Sequence, residues 1–182
     1  MTFKNFLNYI KEIVVRPSDA FDKLAKDKNL SDYAKVLVLL IIAIDILSFL
    51  IARTRVDNPF VLYSHLIGVP SLIVESFLVN WLGKKYTNNG SFLSFFVAAA
   101  FITLVLLPLS IALEIFESLI ISVLVTILGI YLDILAISVI YRITKWRAVN
   151  VLIRSFLLMG GLILLILALS VVLFLVIRNV QS

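Results

Sequence analysis

Five long apolar runs constrain the fold of this chain more than any other feature of its sequence. Short polar breaks separate the runs, which cover residues 33–52, 60–83, 92–113, 118–141 and 151–177. Each run is long enough to span a membrane, because about 20 consecutive apolar residues cross the hydrocarbon core of a bilayer as a helix. A hydrophobic content of 62% and a mean hydropathy of +1.13 exclude an ordinary soluble domain. The sequence therefore predicts an all-α membrane protein with five transmembrane helices.

The segment before the first run has a different, amphipathic pattern. In "MTFKNFLNYIKEIVV" the large apolar residues recur at helical spacing and form one stripe, opposite Lys and amide side chains. Arg16 and Pro17 end this helix, because proline lacks a backbone donor and disfavours helical geometry in the residue before it. Ser18 is placed to cap a second short helix, "DAFDKLAKD". The candidate contact residues of this helix pair are Phe3, Phe6, Leu7, Ile10, Arg16, Pro17 and Phe21.

Two interpretations of this helix pair are compatible. The stripe fits a pair of helices lying in the interface on the cytoplasmic side of the membrane. It also fits packing of the same helices on the protein's own transmembrane bundle. We therefore expect residues 1–32 to form a cytoplasmic surface element and residues 33–182 to form the transmembrane domain.

The basic residues beside the predicted spans are distributed very unevenly. Thirteen of the 16 Lys and Arg residues fall on the side of the N-terminus, and three fall on the opposite side. Because Lys and Arg beside spans are retained in the cytoplasm, this bias predicts a cytoplasmic N-terminus and an external C-terminus. The net charge of +5 is explained by this topology signal, which disfavours nucleic acid as a partner.

Three short motifs, in chain order, carry a resemblance to a known family. "VVRPSDAFDKL" has an arginine-proline element and a phenylalanine before the first span. "NNGSFLSFFVAAAFITLVLLP" has a Gly-Ser-Phe entry into the third span and a proline later in it, and "YRITKWRAV" has a basic Arg-Ala element before the last span. Together these motifs resemble the Yip1-domain membrane proteins over nearly the whole chain. The matching positions in the later two motifs are Gly90, Ser91, Phe92, Pro108, Arg147 and Ala148.

This resemblance implies five spans with a cytoplasmic N-terminus. The chain lacks the long N-terminal tail and the Asp-Leu-Tyr-Gly-Pro element of the eukaryotic members, so Rab-GTPase binding is not carried over. It is similar to the shorter prokaryotic members, and we expect a multi-pass protein of a prokaryotic cell membrane.

Few charged or titratable side chains lie inside the predicted spans. Such side chains usually have a structural or functional role, because a charge at the bilayer centre costs about 2.5 to 3.5 kcal/mol on insertion scales. Asp45 and His65 have matched depths on either side of the "RTRVDNP" turn, so we predict that they approach each other. Arg154 has two interpretations: it neutralises Glu75 or Asp133, or it reaches the nearby interface by snorkelling. The two carboxylates have the alternative role of polar contacts between helices.

The sequence offers little for catalysis or metal binding. Cysteine is absent and there is one histidine, which disfavours thiolate chemistry and a histidine-based zinc site. No Ser-His-Asp set with a nucleophile elbow is visible. We therefore expect no catalytic residue, no metal ligand and no cofactor.

Three functional classes remain open at the level of sequence. The first is a non-enzymatic scaffold that organises membrane or recruits partners through the basic N-terminal helices. The second is a small transporter or proton-coupled carrier, with Asp45, Glu75 and Asp133 forming a polar path and Pro70 and Pro108 breaking helices. An intramembrane enzyme is the third and is disfavoured. The lipid bilayer is the expected partner, and other membrane or cytoplasmic proteins or a second copy of the chain remain open.

Overall fold

The computed structural model describes residues 3–53, 68–116 and 119–181 of the chain. These residues form helices and no strands, so the all-α class is confirmed for this part of the chain. The seven helices are α1 (Phe3–Val15), α2 (Pro17–Lys26), α3 (Leu30–Arg53), α4 (Gly68–Gly83), α5 (Phe92–Phe116), α6 (Leu119–Tyr141) and α7 (Lys145–Gln181).

Three of the described helices are long and apolar enough to cross a membrane. They are α5 over Phe92–Ile111, α6 over Leu119–Tyr141 and α7 over Lys145–Val171. The predicted second span includes residues 60–67, which lie outside the described residues, and α4 supplies only its last 16 residues. Three apolar spans are therefore present in the described structure, and the full set of five stays a prediction.

The helix α5 begins at the Gly-Ser-Phe element for a clear physical reason. The Ser91 Oγ accepts a hydrogen bond of 3.0 Å from the backbone N–H of Ser94, which satisfies a donor that the first helical turn leaves free. Gly90 precedes this cap with a φ of 76°, in the left-handed region that glycine adopts without strain. Further along, α5 continues past Pro108, and such a proline is tolerated in membrane helices when neighbouring groups satisfy the freed backbone.

The buried core of α5, α6 and α7 lies at one end of these helices. Buried residues occur in α5 up to Leu106, in the last ten residues of α6 and in the first eleven residues of α7. We call these parts, together with α1, α2, the end of α4 at Gly83 and the loop that follows it, the hairpin half of the molecule. The far half is formed by residues 107–111, 119–131 and 156–171, and none of these residues is buried.

The helices α1 and α2 form an antiparallel hairpin that packs on the bundle. The pairing of Glu12 with Lys23 across the Pro17 joint shows the antiparallel direction. In this hairpin, α1 contacts α5, and α2 contacts both α5 and α6. The bend at Arg16 and Pro17 expected from the sequence is present, because α1 ends at Val15 and α2 begins with Pro17.

Aromatic contacts hold the hairpin on α5. The ring of Phe101, which is fully buried, lies 5.4 Å from the Phe6 ring and 5.8 Å from the Tyr9 ring, measured between centroids. On α2, Phe21 and Leu24 are fully buried as well. Burial of each such side chain contributes about 1.5 to 3 kcal/mol. Packing of the apolar stripe on the protein's own bundle, one of the two interpretations of the sequence, is therefore what the structure shows for these residues.

Candidate functional site in the hairpin half

The helix α1 has a second apolar edge, whose side chains are largely exposed. Leu7 is 47% exposed, and Val14 and Val15 are each 64% exposed. Leu7 and Val14 are seven residues apart, so they lie on the same side of the helix. Exposed Lys11 and Arg16 flank this edge. We call Leu7, Val14 and Val15 the outer edge of α1.

The predicted contact residues of the helix pair divide between the two sides of the hairpin. Leu7 and Arg16 are exposed, whereas Phe6 and Phe21 are buried against the bundle. Ile10 and Pro17 are half-buried, and the side chain of Phe3 lies outside the described residues. The surface that faces away from the bundle is therefore built from fewer of these residues than the sequence indicated.

A hydrogen-bonded network that the sequence analysis missed joins α1, α2 and α3. The Tyr9 hydroxyl donates to the Asp27 carboxylate at 2.8 Å, and the Asn29 backbone N–H donates to the other oxygen of Asp27 at 2.8 Å. The Tyr33 ring packs edge-on against the Tyr9 ring at 5.4 Å. An open polar cavity of about 210 Å³ lies beside this network. The Asp-x-Asn spacing after α2 is a turn signal in the sequence, but its long-range partner Tyr9 has no local signature.

Within this network, the pKa values of Tyr9 and Asp27 shift in opposite directions. Burial, followed by the hydrogen bond to Asp27, raises the pKa of the Tyr9 hydroxyl above its usual value. Burial also acts to raise the pKa of the Asp27 carboxyl, but hydrogen bonds from Asn29 and Tyr9 outweigh it. The pKa of Asp27 therefore lies below its usual value. Asp27 is held ionised and Tyr9 neutral at neutral pH.

Tyr141 at the end of α6 joins three elements of the hairpin half. Its hydroxyl donates to the Asn80 side-chain oxygen at 3.2 Å. Two glycines make room for its ring, because a Cβ at Gly83 or Gly90 would lie 2.8 Å or 2.6 Å from ring carbons. A side chain at Gly90 would thus meet both a steric clash and an unfavourable backbone conformation.

The other motif positions also have structural contacts here. The guanidinium of Arg147 lies 5.7 Å from the centre of the Tyr86 ring, a cation-π arrangement that links α7 to the loop before α5. Ala148 is fully buried. The ring of Phe92 stacks on the Phe96 ring at 5.8 Å. The Gly-Ser-Phe and Arg-Ala elements, which are far apart in the sequence, therefore both pack within the hairpin half.

Two carboxylates of the predicted first and second spans line one cavity. Asp45 and Glu75 border a cavity of about 200 Å³ between α3, α4 and α5, together with Ser71 and Thr103. The Asp45 carboxylate packs directly on Gly68, where a Cβ would lie 2.3 Å from its oxygen. His65 lies outside the described residues, so its approach to Asp45 stays a prediction.

The remaining polar residues of the spans separate into a pair and a single cation. Asp133 on α6 lies within electrostatic range of Glu75 on α4, and the two carboxyl groups repel each other when both are ionised. Arg154 is exposed on α7. The ion pairs found among the described residues all lie between residues 12 and 35. Within the described structure, Arg154 therefore makes no ion pair with Glu75 or Asp133.

The model of the Yip1 domain matches residues 11–176, which include helices α1 to α7 in whole or in part. The chain belongs to the Yip1 family. The resemblance inferred from the three motifs is therefore confirmed, and membership of this family together with the apolar helices identifies a membrane protein. No curated protein and no solved structure matches the chain.

Proposed function

We propose that this chain is a non-enzymatic membrane scaffold that organises membrane or recruits partners through its α1–α2 hairpin. One observation carries the proposal: α1 is apolar on two sides, and only one of them is used for packing on the bundle. The other side, the outer edge of α1, combines exposed Leu7, Val14 and Val15 with exposed Lys11 and Arg16. Large apolar residues beside basic ones are typical of a helix that contacts a membrane surface.

The depth of the charged residues supports a position of the hairpin at the membrane interface. Glu75 and Asp133 are each eight residues from the hairpin-half end of their helices, and Arg154 is nine residues from the start of α7. At 1.5 Å per residue, all three lie about 12 to 14 Å from that end. The hairpin packs on α5 at a similar level, around Phe101. This arrangement favours a hairpin half that projects into the headgroup region of the membrane. The hydrocarbon core would then begin near the level of Glu75, Asp133 and Arg154.

The finer parts of the proposal follow from the sequence and from family membership. We propose five spans, a cytoplasmic N-terminus and an external C-terminus in a cell membrane of the prokaryotic type. Exposed lysines of the hairpin then face an inner leaflet that attracts each basic residue by about 1 kcal/mol. The residues that support this attraction are Lys11, Lys23, Lys26 and Lys28. The proposed partners are the lipid bilayer and one protein that the hairpin recruits. This protein is a membrane protein, a cytoplasmic protein or a second copy of the chain. The proposal needs no cofactor.

Depth measurements with spin labels test the membrane contact. The chain contains no cysteine, so single cysteines are introduced at Val14 on the outer edge and at Asn8 on the polar side of α1. In bilayers, we expect the label at Val14 to be shielded from a water-soluble relaxation agent and the label at Asn8 to be accessible. Equal accessibility at the two positions would remove the outer edge as a membrane contact.

Recruitment is tested separately with a charged variant of the outer edge. We expect Leu7→Glu combined with Val14→Glu to lose the proteins or lipids that crosslink to the hairpin in native membranes. The matched control, Asn5→Glu combined with Asn8→Glu, adds the same charge on exposed polar positions and keeps the crosslinks. Both variants should retain the unfolding midpoint of the parent, since none of these side chains is buried. Unchanged crosslinking of the first variant would contradict the proposal.

A further inference from the structure

Arg154 is a cation on the exposed surface of a membrane helix, and its interactions are not explained by the scaffold role. It makes no ion pair among residues 3–53, 68–116 and 119–181. Glu75 and Asp133 lie at a similar level on α4 and α6, and among the described residues neither forms an ion pair with Arg154. An exposed guanidinium at this depth needs an anionic or aqueous partner, because a charge is poorly tolerated in hydrocarbon.

The length of α7 places Arg154 at the level of lipid phosphates. Residues 155–177 separate Arg154 from Arg178 and contain no ionisable side chain. These 23 residues span about 34 Å as a helix, close to the roughly 30 Å thickness of the hydrocarbon core. The two arginines therefore mark the two boundaries of the apolar part of α7.

A shallow groove of about 260 Å³ on α7 contains Arg154. It is lined by Trp146, Val149, Asn150, Ile153, Arg154 and Leu157, whose spacing puts them along one face of the helix. Trp146 is 79% exposed at one end, and Leu157 is 71% exposed at the other. The two polar side chains of the groove, Asn150 and Arg154, lie between Trp146 toward the start of α7 and Leu157 toward the far half.

We propose that this groove binds one anionic phospholipid, with its phosphate on Arg154. A guanidinium donates two parallel hydrogen bonds to a phosphate, which an ammonium does not, and the Asn150 amide is one helical turn away as a further donor. Ile153 and Leu157 contact the first part of an acyl chain, and Trp146 lies about 12 Å from Arg154 along the helix, on the headgroup side. The proposal rests on the membrane-spanning character of α7 and not on the scaffold function.

Native mass spectrometry of the purified full chain in a neutral detergent tests this site. The protein is titrated with phosphatidylglycerol or with phosphatidylcholine of the same acyl chains. We expect one phosphatidylglycerol to be retained with at least fivefold preference over phosphatidylcholine. Arg154→Gln should abolish that preference. Arg178→Gln makes the same charge change at the other boundary of α7 and should retain it.

The fluorescence of Trp146 gives a second measurement in the same groove. The chain has two tryptophans, so Trp81→Phe leaves Trp146 as the single reporter. We expect phosphatidylglycerol to shift the emission of Trp146, and phosphatidylcholine and inorganic phosphate to leave it unchanged. Circular dichroism checks that Arg154→Gln remains folded.

Several outcomes would overturn the proposal. These are equal retention of the two lipids, an undiminished preference in Arg154→Gln, or an equal loss in Arg178→Gln, which would indicate charge attraction without a site. A shift of Trp146 emission by inorganic phosphate alone would exclude recognition of the lipid as a whole. A dimer that Arg154→Gln dissociates, without any lipid preference, would identify a second copy as the occupant.

Discussion

The hairpin half and the far half are made from the same three long helices, but only one of them is packed like a protein core. In the hairpin half, rings and small residues interdigitate, as where Phe101 meets α1 and Tyr141 fits against Gly83 and Gly90. In the far half, the described side chains are as apolar, yet none is buried. Apolar composition alone therefore does not distinguish residues that are buried within the protein from residues that are exposed on its surface.

The difference between the halves has a physical origin. Lipid chains are as apolar as leucine, so hydrophobicity supplies no driving force for packing helices together inside a bilayer. In the hairpin half, the additional helices α1 and α2 cover α5 and α6, and a polar contact from Tyr141 to Asn80 joins α6 to α4. The two halves should therefore respond differently to the same substitution.

The largest expected difference concerns phenylalanine. Phe101→Ala removes a fully buried ring that contacts Phe6, Tyr9 and Tyr33, and should lower the free energy of unfolding by about 3 to 5 kcal/mol. The same change at Phe156, which is 47% exposed in the far half, should cost less than about 1 kcal/mol. Denaturant unfolding in detergent micelles measures both values. Equal losses at the two positions would mean that the far half is packed as tightly as the hairpin half.

A smaller difference is expected between two glycines. Gly90→Ala puts a Cβ 2.6 Å from the Tyr141 ring at a φ of 76°, and should destabilise the protein by about 2 kcal/mol. At Gly160 in the far half, an added Cβ would meet no atom within 4 Å beyond its chain neighbours and the backbone of its own helix. Gly160→Ala should be neutral or stabilising by up to about 1 kcal/mol, because alanine favours a helix over glycine. Thermal unfolding of the two variants compares them, and a destabilised Gly160→Ala would contradict the open far half.

The smallest expected difference concerns a tyrosine hydroxyl and depends on pH. Tyr9→Phe removes the hydrogen bond to Asp27 and should cost about 1 to 2 kcal/mol at pH 7. Because the pKa of Asp27 is lowered by folding, its stabilising contribution is present above the unfolded value of 3.8 and is lost as pH falls through the folded value. In Tyr9→Phe, the free energy of unfolding should therefore fall less than in the parent as the pH drops below about 4.

The control for this change is Tyr131→Phe, which alters a half-exposed tyrosine of the far half. It should change neither the free energy of unfolding nor its dependence on pH. If the two variants lost stability equally at every pH, the Tyr9 to Asp27 contact would have no specific role.

Much of the architecture was accessible from the sequence because it depends on local pattern. Apolar runs located α5, α6 and α7, and the proline rule located the joint between α1 and α2. The Gly-Ser-Phe element was recognised as a motif, but its reason, the ring of Tyr141 against Gly90, requires the tertiary structure. The sequence also did not decide which side of α1 packs on the bundle. The stripe containing Phe6 and the outer edge containing Leu7 are both apolar, and only the position of Phe101 separates them.

The site residues show the same limit. Glu75 and Asp133 are each eight residues from the end of their helices, α4 and α6, which run in the same direction, so counting residues along the chain places them at similar levels. Depth does not determine the direction of a side chain around the helix axis. For that reason the sequence left open whether Arg154 neutralises a carboxylate or reaches the interface, and its exposed position on α7 was not predictable.

The most direct test of the two-half description is a nitroxide scan along α7 in bilayers, from residue 146 to residue 171. In residues 146–155 we predict that oxygen accessibility varies with a period of about 3.6 residues, because one side of the helix is buried there. From residue 156 onward, oxygen accessibility should be uniformly high, and a water-soluble nickel reagent should be excluded beyond Arg154. A protected face that continues with the same period through residues 156–171 would show that protein, not lipid, covers the far half, and would contradict this account.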